Sequence, residues 1–168
     1  MKNALEILKF AMNMEKQGQN FYISFAEKVE NPVSKKLFES LAKEEERHYD
    51  ILKKEYDAIE KNQEWSDPDT MGLEGEKSIF EVRKDAEKLS DLQLKSSTSD
   101  ISILRMAYLI ENDFAEFYKK AMENTEDPKG KKMLETLYYW ENDHRKVFYE
   151  EYQKAMEENW FDQGFAPF

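Results

Sequence analysis

The chain contains no cysteine, which excludes disulfides, thiolate-ligated metal and cysteine-held iron, and leaves the redox compartment open. Backbone breakers are scarce, with five glycines and four prolines in 168 residues, so the compositional bias is helical. No stretch approaches the roughly 18 consecutive apolar residues of a membrane span, and no membrane association is expected. Residues Met1 to Phe10 include Glu6 and lack an uninterrupted apolar core, so a signal peptide is not expected either and the expected location is cytoplasmic. Positive charge is outnumbered, with 25 Lys and Arg against 36 Asp and Glu for a net charge of −11. That balance argues against nucleic acid or an anionic lipid surface as partner.

Histidine is nearly absent too, and its placement is informative. The two histidines, His48 and His144, lie 96 residues apart, and each follows a glutamate by three positions, Glu45 and Glu141. At the same offset Glu15 answers Glu111, Phe21 answers Phe117, Tyr22 answers Tyr118, Pro32 answers Pro128 and Leu41 answers Leu137; between Ile7 and Tyr56, 17 of 50 positions are identical. An ungapped repeat that carries both histidines points to two copies of one helical hairpin around a two-fold site.

The apolar periodicity predicts four long helices, at about 3–29, 32–60, 99–124 and 128–158, within a single domain spanning residues 1–168. Asn3 with Glu6 reads as a cap for the first, while Asn31-Pro32 and Asp127-Pro128 each join a capping side chain to a proline suited to the first helical position. The inward stripes are Leu8, Ala11, Glu15, Gly18, Tyr22, Phe25, Val29; Leu37, Leu41, Glu45, His48, Leu52, Glu55; Leu104, Ala107, Glu111, Phe114, Tyr118, Ala121; and Leu134, Leu137, Glu141, His144, Phe148. The connection from about 62 to 97 carries turn residues at Asp67-Pro68 and Gly72 to Gly75. It also carries a short amphipathic helix from Ser78 to Ser90, with Ile79, Val82, Ala86 and Leu89 on one side. A link this long suits a bundle in which the chain runs back along its whole length, making the second and third long helices parallel.

Glutamates and histidines interrupt stripes that are otherwise apolar. With 25 glutamates in 168 residues, a glutamate three before one histidine is a weak signal. Four glutamates among Leu, Ala, Tyr and Phe are a strong one, because buried unpaired carboxylates are prohibitive without cations. Positions i and i+3 share a helix face, so Glu45 with His48 and Glu141 with His144 each present a carboxylate and an imidazole together. One glutamate from each of the other two helices completes the ligand set of a ferritin-like di-metal bundle: Glu15, Glu45, His48, Glu111, Glu141 and His144. Carboxylate with imidazole suits iron or manganese, and zinc or cobalt could substitute. Glu15 and Glu111 are expected to bridge, Tyr22 and Tyr118 to hydrogen-bond ligand carboxylates, and Glu44 and Glu46 to face solvent. Trp65 and Trp140 read as packing residues, and the methionines as core filler.

At these residues the chain resembles a known family. Glu15-x-x-Gly18-x-x-Phe21-Tyr22 and Leu41-Ala42-x-Glu44-Glu45-x-x-His48 are similar to the iron-binding domain of rubrerythrins, and Glu111, Phe117-Tyr118 and Glu141-x-x-His144 match more loosely. The resemblance covers the four helices, roughly residues 5 to 155. It implies two iron ions, reductive chemistry on hydrogen peroxide or oxygen, a separate electron-donor protein and a homodimer. The chain departs from the family pattern at Phe114, where a further carboxylate is usual, and in lacking a cysteine-rich electron-transfer domain. The remaining six ligands are similar to those of bacterioferritin, so iron oxidation or storage is an alternative, as is a bundle whose metal is only structural.

Overall fold

The structure, a computed structural model, describes residues 2–73, 78–89 and 96–162. It is all-α: α1 (Lys2–Lys28), α2 (Pro32–Asn62), a 3-10 turn (Pro68–Thr70), α3 (Ile79–Leu89), α4 (Thr98–Glu123) and α5 (Pro128–Asp162). The four long helices begin and end within a few residues of the positions their periodicity predicts. Every residue of the four predicted stripes is buried.

The helix starts explain the hairpins. Asn31 accepts from the backbone N–H groups of Val33 at 2.9 Å and Ser34 at 3.2 Å, satisfying donors that the first turn of α2 leaves open. Its repeat counterpart Asp127 does the same for Lys129 and Gly130 at 2.9 and 3.3 Å. Pro32 and Pro128 follow, so α1 turns into α2 and α4 into α5 within a few residues, forming antiparallel pairs. The start of α1 differs from expectation. It begins at Lys2, which places Asn3 inside the first turn rather than ahead of it.

Two contacts fix how the hairpins face each other. At one end, buried Asp100 in the first turn of α4 accepts from the backbone N–H groups of Glu30 and Asn31, both at 3.0 Å. The beginnings of α2 and α4 therefore lie together, and these helices run parallel as the long link requires. At the other end, Trp65, just beyond α2, lies against Gly130 at the start of α5. The link is held down by carboxylates at repeat-equivalent positions. Glu55 accepts from the backbone N–H of Ser66 at 2.9 Å, and Glu151 approaches Arg83 of α3 at 3.6 Å. Ile79 and Ala86 of α3 are buried. The Leu89 side chain, residues 74 and 75 of the Gly72–Gly75 turn, Ser90 and the terminal Gly-Phe-Ala-Pro-Phe lie outside the described residues.

The interior is two apolar clusters with a polar layer between them. Tyr22, Phe38 and Phe148 stack in one, Phe38 and Phe148 with ring centroids 5.1 Å apart. Leu8, Leu52, Trp65, Tyr118, Met133 and Leu137 belong to the other. Burial of this much hydrocarbon on both sides is what holds charged groups in the middle. Among the described residues no helix is long and apolar enough to cross a membrane.

Candidate metal centre

The polar layer is made by the residues that break the stripes. Glu15 comes from α1, Glu45 and His48 from α2, Glu111 from α4, and Glu141 and His144 from α5; all six are buried. They form two overlapping groups, Glu15, Glu45, His48 and Glu141, and Glu45, Glu111, Glu141 and His144, whose ligand atoms within each group lie within 4.8 Å of one another. A shift of 96 residues turns one group into the other. Each draws three residues from its own hairpin and one from the opposite hairpin. The members common to both are Glu45 and Glu141, so the geometry gives the shared position to α2 and α5 rather than to Glu15 and Glu111.

His48 Nδ1 lies 3.2 Å from Glu141, 3.6 Å from Glu15 and 3.8 Å from Glu45. His144 Nδ1 lies 3.3 Å from Glu141 and 3.5 Å from Glu111. The two imidazoles are near parallel, with centroids 6.1 Å apart. Both tyrosines reach the layer, each crossing to the other hairpin. The Tyr22 hydroxyl donates to Glu111 and the Tyr118 hydroxyl donates to Glu15. Each bond fixes one carboxylate oxygen and leaves its twin directed at the cluster.

Sequence periodicity misplaces one residue. Glu44 is not a solvated neighbour of Glu45: its side chain is 12% exposed and its Oε2 lies 2.8 Å from His144 Nε2. A stripe assigns one buried face per helix, whereas Glu44 lies on the flank of α2 that meets α5. The available signal was the two-fold itself, which brings the flank of each Glu-x-x-His against the histidine of the other. Trp140, the repeat counterpart of Glu44, packs across to the other hairpin. Its ring stacks on His48 with centroids 5.0 Å apart and planes within 12°.

The electrostatics are those of a cluster that wants cations. Burial, then the charges of Glu15 and Glu141, push the Glu45 carboxyl well up. Burial likewise raises Glu111, to about 8 despite the opposing pull of His144. Glu141 goes the other way. Burial opposes its ionisation, but His144 and His48 together hold it below the usual carboxylate range. His144 is raised because contacts with Glu111, Glu141 and Glu44 outweigh its own burial. Burial and the neighbouring carboxylates keep both tyrosines protonated far into alkali, so they remain donors. Oxygens of Glu15, Glu45, Glu111 and Glu141 are buried with no hydrogen bond among the described residues. Unpaired buried oxygens are rare and costly; on four converging carboxylates they fit divalent cations.

The chain matches the family model Rubrerythrin over residues 6–152. It belongs to the rubrerythrin family. No curated protein and no solved structure matched it. The matched span contains all six Glu and His residues of the polar layer, both tyrosines and Glu44. For a rubrerythrin-family chain, the paired Glu/His clusters are consistent with a binuclear metal site.

Proposed function

We propose that this protein is a di-iron oxidoreductase of rubrerythrin type that reduces hydrogen peroxide or oxygen with electrons from a separate donor protein. The observation that carries the reading is the pair of overlapping clusters around Glu45 and Glu141, in which both Glu45 oxygens and one oxygen each of Glu15, Glu111 and Glu141 lack hydrogen-bond partners among the described residues. In this reading Glu15, Glu45 and His48 would hold one ion and Glu111, Glu141 and His144 the other, with Glu45 and Glu141 within reach of both. Iron held by these residues would supply the two electrons needed to reduce an oxygen–oxygen bond. The chain's own groups do the rest. Tyr22 and Tyr118 hold the Glu111 and Glu15 carboxylates in orientation, and the apolar clusters on either side keep bulk water from the layer. The donor protein and a homodimeric assembly belong to the same proposal; Phe10, Phe21, Met106 and Leu109 leave exposed apolar surface on α1 and α4.

Iron-loaded, reduced protein is expected to hold two metals per chain and to consume peroxide with oxidation of two irons per molecule. Glu45→Ala or Glu141→Ala should remove both metals, whereas Glu15→Ala or Glu111→Ala should weaken chiefly one. Full metal content in the Glu45→Ala/Glu141→Ala double variant would sink the assignment. Rapid oxidation of added ferrous iron without peroxide turnover would favour the bacterioferritin-like alternative.

That alternative draws support from Phe114. Its ring lies against Gly18, so that a methyl group built on Gly18 would come within 3.0 Å of it and 3.6 Å from the Glu45 carboxyl carbon. An apolar ring thus sits beside the carboxylate layer where the family resemblance calls for an oxygen ligand. Phe114→Glu is expected to place a further carboxylate beside Glu45, change the absorption of the cobalt-loaded protein and alter the peroxide rate several-fold. A cobalt spectrum identical to wild type would show that residue 114 does not reach the metal.

A further inference from the structure

An aromatic contact joins the buried layer to the surface of the bundle. The Trp140 indole lies on the imidazole of His48, with ring centroids 5.0 Å apart and planes within 12°, inside the range of favourable offset stacking. His48 is fully buried, whereas Trp140 is partly exposed and its neighbour Tyr139 is 56% exposed. The contact is face to face, so it does not compete with the His48 ring nitrogens, whose partners lie in the plane of the ring. Nδ1 faces Glu15, Glu45 and Glu141. At the repeat-equivalent place, residue 44, a glutamate meets His144.

Stacked π systems overlap, and an electron crosses such a contact far more readily than the same distance of saturated side chain or empty space. Beyond the stack, Nδ1 of the same imidazole points at the carboxylates that would hold the ion. The surroundings of the indole suit passage rather than damage. The Arg47 guanidinium lies 5.6 Å from the indole centroid, and its Nη2 donates to the Gly72 carbonyl at 2.8 Å, which ties it to the link. A positive charge beside the ring attracts its π electrons and so makes the indole itself harder to oxidise.

We propose that Trp140 is where electrons enter the centre, passing from a one-electron carrier protein through the indole to the His48 imidazole and the ion behind it. The proposal rests on the di-metal reading of the site and says where its electron donor must come. Each passage oxidises the carrier by one electron and reduces one ferric ion to ferrous. Two passages restore the pair of ferrous ions that one peroxide molecule oxidises.

Because the chain has no cysteine, one introduced thiol can carry a ruthenium photosensitiser to a chosen place. It is attached at Tyr139→Cys, beside Trp140, or at Phe21→Cys on α1, where the native ring is 44% exposed. In iron-loaded, oxidised protein a flash delivers one electron from the reduced sensitiser, and loss of the ferric absorption times its arrival. Trp140→Leu should slow arrival from residue 139 several-fold and leave arrival from residue 21 unchanged. Trp140→Phe, which keeps a ring on His48, should restore most of the rate. A second readout needs no turnover: cobalt(II) added to metal-free protein should quench the part of the tryptophan emission that Trp140→Phe removes. A merely structural role for Trp140 would lower the melting temperature or the metal content and slow both labels alike. Equal rates in Trp140→Leu and its parent, equal slowing from both labels, or Trp140 emission untouched by bound cobalt would overturn the proposal and leave the di-metal centre standing. Protein that binds neither iron nor cobalt would overturn that centre as well.

Discussion

Stripped of metal, the protein is expected to melt at steadily lower temperature as the pH rises from about 5 to 8, while the metal-loaded form changes little. The sign follows from the buried layer. Glu45 and Glu111 have folded-state values above those of an unfolded chain, about 8 for Glu111. Their contribution is fully present below about pH 4 and is lost as the pH climbs toward the folded value. His144 is also raised, so its contribution is present below about pH 6.5 and is lost above it. Glu141 is lowered; its contribution is lost only in acid and is flat across this window. Glu45, Glu111 and His144 therefore push the same way, by up to about 1.4 kcal/mol per pH unit for each group that changes ionisation on folding. Cations neutralise the layer, and binding to the folded state alone adds stability by mass action. Paired melting curves across pH provide the check. Equal melting of the two forms at neutral pH, or a metal-free form that grows more stable with pH, would contradict a buried centre.

Gly130→Ala is expected to lower the melting temperature by about 5–10 °C, corresponding to roughly 2–3 kcal/mol. The direction opposes helix propensity, which favours alanine over glycine by about 1 kcal/mol inside a helix. Packing decides otherwise. A Cβ at residue 130 would lie 2.4–2.8 Å from three atoms of the Trp65 indole. Trp65 is only 3% exposed and wedged where the end of α2 meets the start of α5, so the rigid ring must leave its pocket or the helix must shift. Trp65→Phe on top of Gly130→Ala should return part of the loss, since residues in contact couple. Thermal denaturation of the three variants decides it. A Gly130→Ala protein as stable as wild type would show that the indole moves freely.

What the sequence made legible was whatever repeats along a helix. The period of 3.6 exposes each inward stripe, and the glutamates and histidines are conspicuous there because charge among Leu, Ala and Phe demands a reason. The hairpins were legible from Asn31-Pro32 and Asp127-Pro128, whose caps act within three residues. Contacts between helices were not. Tyr22 bonding Glu111 and Tyr118 bonding Glu15 require knowing which helices lie side by side. The sharing of Glu45 and Glu141 depends on the depth at which each carboxylate enters the layer. Glu44 escaped because a charged residue one place off the stripe normally faces water, and only the approach of α5 turns that flank inward. Gly130 gives no local sign either, since the space it leaves is claimed by an indole 65 residues earlier.

The meeting of Gly18 and Phe114 bears on how such a chain can have arisen. These positions are repeat equivalents that touch each other across the pseudo-two-fold. In a dimer of two identical hairpins, a residue at such a place would face its own copy. Two phenylalanines would collide there, and two glycines would leave a hole. Because both hairpins belong to one polypeptide, one side can yield its side chain so that the other fills the gap. The same freedom lets residue 44 be a carboxylate where residue 140 is an indole. Joining the hairpins in one polypeptide lifts the obligation of self-complementarity at places such as 18 with 114 and 44 with 140.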